Sequence, residues 1–594
     1  MFLVTTADQR YWNTKEKIFF LGEWCKVYDQ KHIWSKIDGQ VLPYHWDDRK
    51  RMHRDYQYLD GVYERYLAAL SQKLNKLHSE NHSLRYWRII IGPWLNFFIG
   101  IMYDRYLSVQ TAKNSGLVTN TWVSTFKYTD FLAKDTFDFR RWSAGDDWNH
   151  FIYGQIIKSM GGLSYETREG QEFLTRWDQT VFSPLSNDIK NIARSLLGKI
   201  FRLTPDRFNQ IFISSSYLGF WDLTRLQLSL GQFPYLFTPQ VKIEDYAVNE
   251  IARNEISIRL GENQFESLLD EFIPQNMPKV YIEGYAKSCS RANEVFPKKP
   301  KLILSGPSIY YDEGYKFWVA YQVERGTKLY QHQYGGSYGT ILWSALENHE
   351  IKISDRYLSW GWKLKNQPKV IPISAGKLTK IKNKIKPNPK GSILWIGFES
   401  PRFSYWMISN YKGSKFLDYI KESEIFVGAV KPQVRQLLLM RCGPTDYSWN
   451  EDKRLADVYP SLKVYKGEGS YHEQLNNSRL SIHANNSTTL LETLSADFPT
   501  LLFWNPDFFE LRESADPHFN VLRQAGIFHD NPESIAKKVN DIYEDPLSWW
   551  LTPEIQDAKD RFCHQFARTN ENWIAEWKEE LVKCPSPTQY RLMP

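Results

Sequence analysis

The sequence predicts an α/β protein built from two Rossmann-like domains facing across a cleft, the first enlarged by helical segments. Three observations carry this prediction. From about Arg207 onward, short apolar runs alternate with helix-periodic segments, the pattern of a parallel sheet with crossover helices. The alternation resumes as a second block after a lysine-rich break. Each block also contains a strand that runs through a loop of small residues into a helix, where α/β sheets place their ligands.

The elements follow in order. Phe2–Thr5 and Ile18–Leu21 read as strands, and His45 to about Leu107 as helix, with Tyr56, Leu59, Tyr63, Tyr66, Leu67 and Leu70 on one face. Helical and irregular segments continue to about Arg207. Then come strand Gln210–Ile213, helix Phe220–Leu230, strands Val280–Ile282 and Lys301–Leu304, helix Glu313–Val323, strand Leu329–His332, helix Ile341–His349 and strand Tyr357–Trp360. The stretch 377–390, KLTKIKNKIKPNPK, has six lysines, two prolines and no acid, and reads as a solvated linker. The second block has a strand at Gly391–Gly397, a helix near Lys415–Ile420, strands Ile425–Val427 and Leu437–Arg441, and the unit Ser478–Pro506. Helices around Ser534–Tyr543 and Pro553–Leu581 end the chain.

At 594 residues the chain is too long for one core. Its 24% charged and 42% hydrophobic residues are those of an ordinary soluble protein. Aromatic residues, at 15%, are the outlier and hint at sugar C–H faces. A net charge of +7 permits an acidic or membrane partner without requiring one, and no nucleic-acid partner is expected. Cys25, Cys289, Cys442, Cys563 and Cys584 are odd in number and scattered, which argues against a disulfide framework and for a reducing compartment. The start MFLVTTADQRYW does not read as a signal peptide. Ile89–Tyr103, interrupted by Pro93 and Asn96, falls short of the roughly 20 residues of a spanning helix. The expectation is a cytoplasmic protein, at most peripheral to the inner membrane.

The unit Ser478–Pro506 carries the most chemistry. Leu480–His483 is a strand, Asn485–Thr489 a run of small hydrogen-bonding residues, and Leu490, Leu491 and Leu494 begin a helical face. A helix start with unpaired N–H groups suits a phosphate, so Asn486, Ser487, Thr488 and Thr489 are donor-site candidates. The rival reading is a capping box between Thr489 and Glu492. Glu492 otherwise meets a ribose. Arg441, at a strand end, can pair bidentately with a diphosphate, and His472 borders the nucleotide on the loop after Gly467–Gly469. Across the cleft, QHQYGGSYG offers Gly335 and Gly336 for close backbone approach and His332 as a base. Asp222, Asp147 and His150 are further catalytic candidates, and His45, Asp47 and Asp48 acceptor ligands. No metal-ligand spacing is present, and no cofactor is expected beyond a nucleotide-sugar co-substrate.

The segments LVTTADQRYW, FFLGEWC, YHWDDR, RYWRIIIGPWL, DDWNHFIYGQII, QHQYGGSYG, YLSWGW and NNSTTLLETLSADFPTLLFW through GIFHDNPESIA together resemble the transferases of bacterial surface-carbohydrate and O-antigen clusters. The resemblance implies a GT-B-like glycosyltransferase, with a glycine expected where Gln333-Tyr334 stands. The predicted domains are an acceptor-side domain at 1–376, the linker 377–390, a nucleotide-sugar domain at 391–552, and a helix and tail at 553–594 crossing back. The function expected is transfer of a sugar from a nucleotide donor to a surface glycan or its lipid-linked precursor. Helix dipole and Arg441 would take the place of a metal. The competitors are a Kdo-type transferase using a CMP donor with Asp222 as nucleophile, a nucleotide-sugar epimerase, and a non-catalytic glycan-binding component.

Overall fold

The computed structural model describes residues 1–173, 205–235 and 241–583; Cys584 lies outside them. The chain forms three sheets, each wholly parallel. In the first, β1 (Phe2–Val4), β2 (Ile18–Phe20), β3 (Gly39–Val41), β4 (Asn120–Ser124) and β5 (Tyr165–Arg168) lie in the order β3-β2-β1-β4-β5. In the second, β6 (Ile211–Ser214), β7 (Leu302–Ser305), β8 (Lys328–His332), β9 (Arg356–Ser359) and β10 (Val370–Pro372) run in sequence. The third comprises β11 (Ser392–Ile396), β12 (Leu438–Cys442), β13 (Lys463–Lys466), β14 (Ser478–His483), β15 (Thr500–Phe503) and β16 (Phe528–His529). Its order, β13-β12-β11-β14-β15-β16, is that of the doubly wound dinucleotide-binding fold, with the switch point between β11 and β14.

The α/β class and the two Rossmann-like sheets opposed across a cleft are as predicted. The helix-rich first third adds a sheet of its own. Its strands are three to five residues long and its edges are solvent-exposed, so they lack the apolar alternation that marks a strand. The apolar segment Ile89–Tyr103 lies inside helix Leu84–Asn114, buried nearly all round between helices Arg49–His78, Asp146–Met160 and Glu313–Glu324. Its hydropathy is that of a core strut joining the first two sheets. Among the described residues no helix is long and apolar enough to cross a membrane.

Several elements differ from the sequence reading. Val280–Ile282 is helical, within Lys279–Ile282, and Ile425–Val427 lies inside helix Lys415–Ala429. An apolar triplet fits either period; here Phe416, Tyr419, Ile420, Ser423, Phe426 and Val427 share one buried helical face. The basic stretch is only partly a solvated connection. Gly376–Lys382 is a helix that buries Leu378 and Ile381, and Ile385 beyond it is buried too. The final helical segment is two helices, Pro553–Phe566 and Trp573–Val582. The second packs Trp573, Trp577 and Leu581 against Ile213, Leu304 and Tyr330 of the second sheet, so the chain crosses between these lobes twice.

Candidate active site

Beyond β14, the sequence builds a loop that is held from beneath. His483 is fully buried, bonding Ser481 Oγ (3.0 Å) and Thr493 Oγ1 (3.1 Å); burial pushes its imidazole down to about 3, so it is a neutral hub. Asn485 Nδ2 donates to the Gly397 carbonyl at 2.8 Å. Ser487 then stands at the N-cap of helix Thr488–Ser495 in extended conformation, and no side chain caps that helix. The capping box does not form, because Ser487 is the N-cap and Thr489 lies inside the helix; Glu492 is used elsewhere. Its carboxylate takes Lys377 Nζ at 2.8 Å and His472 Nε2 at 3.3 Å. Burial opposes ionisation of Glu492, yet the His472 hydrogen bond and the Lys377 charge together hold it below the usual range.

The glycine loop after β8 closes over this helix start. Gly336 N–H donates to Thr488 Oγ1 at 3.0 Å, and Asn486 Nδ2 donates to Thr340 Oγ1 at 2.8 Å. A β-carbon at Gly336 would lie 2.2 Å from the Ser487 carbonyl carbon, so only glycine permits the approach. Gln333, where a glycine was expected, braces the loop. Its Oε1 accepts from Trp360 N–H (2.9 Å) and Trp362 Nε1 (2.8 Å), and its Nε2 donates to the Gly335 carbonyl (2.8 Å). Tyr334 and Tyr338 donate to Glu350, whose carboxyl burial pushes up to about 8.

Between the second and third sheets lies a cavity of about 710 Å³. Gly335, Gly336, Arg441, His472, Asn486, Ser487, Thr488, Thr489 and Glu492, all predicted donor-site residues, line it. Arg441 lines it with its guanidinium committed: it donates to the carbonyls of Gly467, Glu468 and Gly469 and to Gln474 Oε1, at 2.6–3.2 Å. It shapes the glycine-rich loop. Two charged lining residues escaped the sequence reading. Lys377, taken as linker, brings a cation beside Glu492 and stands 5.6 Å over the Tyr217 ring. Glu399, just beyond β11, has an Oε1 that is sealed from solvent without a protein partner, and burial pushes its carboxyl up to about 7. Its signal was only a carboxylate following a strand.

The LIC12162 family transferase model matches residues 1–581. The chain belongs to this family. No curated protein matches it. Solved structures similar to it include the S. aureus MnaA–UDP complex, at 12% identity over 63% of this chain and 93% of that one, TM-score 0.34. Others are the N-terminal domain of Candida albicans trehalose-6-phosphate phosphatase (12%, 66% and 94%, TM-score 0.33) and the trehalose-6-phosphate synthase OtsA (10%, 51% and 77%, TM-score 0.31).

In this LIC12162 family transferase, the remaining predicted residues stand outside the cavity lining. His332 is buried behind the glycine loop, its Nδ1 on the Gln333 carbonyl (2.8 Å) and its ring against Trp577; burial pushes it down to about 4. Asp222 pairs with Lys380 at 2.7 Å. Asp147 and His150 sit at the carboxyl end of the first sheet. Asp147 meets Arg10 at 3.1 Å; His150 stacks on Tyr11 and bonds Thr5 Oγ1 at 3.0 Å. His45 lies buried 3.2 Å from Asp104. Asp47 accepts from Ser414 Oγ at 2.7 Å, and Asp48 caps helix Arg49–His78 by accepting from Arg51 N–H at 2.9 Å.

Proposed function

We propose that this transferase moves a sugar from a nucleotide-activated donor to a glycan acceptor, with the donor held in the cavity between the second and third sheets. The uncapped start of helix Thr488–Ser495, facing Gly335 and Gly336, carries the reading. Its backbone N–H groups and the hydroxyls of Ser487, Thr488 and Thr489 can receive the diphosphate, with the positive end of the helix dipole behind them. Lys377 adds a cation, paired with Glu492, at the same wall. In the transfer, an acceptor hydroxyl forms a bond to the anomeric carbon and gives up its proton to the departing phosphate or to water. The carbon–oxygen bond to phosphate breaks, the nucleoside diphosphate leaves with the electron pair, and the helix terminus meets the charge that develops.

In this reading residues 391–552 hold the donor and 1–376 present the acceptor, a bacterial surface glycan or its lipid-linked precursor brought to a cytoplasmic enzyme at the inner membrane. The motifs shared with transferases of surface-carbohydrate clusters support that acceptor class. A thermal-shift screen of UDP, GDP, dTDP and CMP compounds tests the donor site, since a ligand bound by the folded state raises its stability. In the T488V/T489V double variant, donor binding should weaken by about 1–3 kcal/mol as charge-assisted hydrogen bonds are lost. Unchanged affinity in the folded variant would leave the loop as a mere helix start.

A further inference from the structure

The same cavity has an aromatic corner, lined by Tyr311 and Trp406. Tyr311 ends the short helix Ser308–Tyr311 that follows β7; it is 46% exposed, and among the described residues no ring stacks on it. Trp406 lies between β11 and helix Lys415–Ala429, partly exposed, and packs against the core that joins the first two sheets. Arg140 holds the two rings together: its guanidinium carbon stands 5.4 Å from the centre of Tyr311 and 5.2 Å from that of Trp406. Among the described residues no carboxylate pairs with this guanidinium. Its other neighbours are the rings of Phe97 and Tyr405, at 5.5 and 5.1 Å, and its Nη2 donates to the Tyr405 hydroxyl at 3.2 Å. Tyr217, three residues beyond the neighbouring strand β6, stands at the same edge of the second sheet. Its ring is 53% exposed and stacks on the lining residue Tyr334 at 6.0 Å. Its backbone is left-handed, with φ of +55°, a strained setting for a bulky residue, and so exposed a ring returns little burial in exchange.

Phenol and indole rings combine a large apolar face with a polar tip, so a group of them exposed in a wet cleft suits a ligand of the same mixed character. A pyranose has it: C–H faces above and below, hydroxyls around the rim. We propose that Tyr311 and Trp406, flanked by Tyr217, form a stacking platform for a sugar ring of the acceptor glycan. The platform rests on the transfer reading above. The helix start at Thr488 takes the phosphates, and the aromatic corner takes the sugar that receives, in place of His45, Asp47 and Asp48, which stand outside the lining. Arg140 is a positioning residue, because it touches both rings without lining the cavity itself.

The test is saturation-transfer NMR on the full chain, with the methyl glycosides of glucose, galactose, mannose and N-acetylglucosamine as probes, and UDP, GDP and dTDP titrated in parallel. At least one glycoside should receive magnetisation at its ring C–H protons. Y311A should weaken that glycoside about fivefold or more and leave nucleotide affinity within about twofold, while Y311F, which keeps the ring face, should bind within about twofold of wild type. Y217G should also weaken it, with a melting temperature that holds or rises, because glycine takes the left-handed backbone without strain. No transfer to any of the four glycosides, unchanged binding in both Y311A and Y217G, or a loss in Y311F equal to that in Y311A would each overturn the platform. A loss of nucleotide affinity in Y311A with the glycoside unaffected would assign the ring to a nucleobase and overturn it as well. Glycoside binding that depends on Tyr311, in a protein that binds none of the nucleotides, would instead overturn the donor site and leave the platform standing.

Discussion

Replacing Gly336 by alanine probes a close backbone approach between the two lobes. The added methyl would sit 2.2 Å from the Ser487 carbonyl carbon, 2.4 Å from its oxygen and 2.6 Å from Thr488 N. Carbon atoms in ordinary contact stand about 3.5–4 Å apart, so the loops must part by roughly 1.3 Å or more. All three obstructing atoms are backbone and cannot rotate away. Overpacking of this kind costs about 1–3 kcal/mol. Loss of the Gly336 to Thr488 hydrogen bond adds about 1 kcal/mol. Parting the cleft relieves the clash without unfolding either sheet, so most of the penalty should fall on the closed, donor-holding form. With tenfold per 1.4 kcal/mol, nucleoside-diphosphate affinity should drop about 25-fold or more, while the melting temperature moves by only a few degrees. Titration calorimetry beside differential scanning calorimetry separates the two. Wild-type affinity in a folded G336A protein would show that the two loops do not meet when the donor is bound.

Glu399 gives a pH-dependent expectation: its folded carboxyl is raised to about 7, so its stabilising contribution is full below about 4.5 and is lost as pH rises through 7. E399Q should therefore match the wild type near pH 4.5 and exceed it by about 1–3 kcal/mol at pH 8, read from denaturant midpoints; parallel pH profiles would refute the assignment. R441M should lower the melting temperature and donor affinity together, because it strands the carbonyls of Gly467, Glu468 and Gly469; lost affinity at unchanged melting temperature would mean that the guanidinium grips ligand instead. K377M should weaken nucleotide binding by about tenfold at low salt and by less in high salt, and a salt-independent loss would argue against a charge effect.

Much of the candidate site was legible because it is local. A strand, small polar residues and an amphipathic helix are contiguous in Ser478–Pro506, and so are the strand and glycines of the QHQYGGSYG loop. Position in a sheet was legible too; side-chain direction was not. His332 does end β8, yet its imidazole is enclosed by Gln333, Gly306 and Trp577 rather than by the cavity. Glu399 acquires its character from burial beside Gly443, a non-local fact that a sequence window does not hold. Lys377 was hidden by the lysines around it, although Leu378, Ile381 and Ile385 trace the buried face of the segment. Arg441 was placed correctly at a strand end, but the carbonyls that occupy it come from a loop whose conformation no composition specifies.

The two crossings between the second and third sheets lie side by side and are stitched together. Ala375 N–H donates to the Arg568 carbonyl at 2.7 Å, and Asn570 N–H donates to Thr379 Oγ1 at 3.2 Å. Running in opposite directions, they make a two-ply strap in place of a single tether. A lone tether leaves a body free to swivel and twist, whereas a strap folds across its thin dimension and resists shear along its length. Any movement of one lobe against the other must bend both plies and part the Leu342 N–H from the Glu510 carbonyl, 2.7 Å away across the cleft. The strap's own helix, Gly376–Lys382, supplies the lysine that reaches Glu492, so the strap is bolted to the wall of the candidate site.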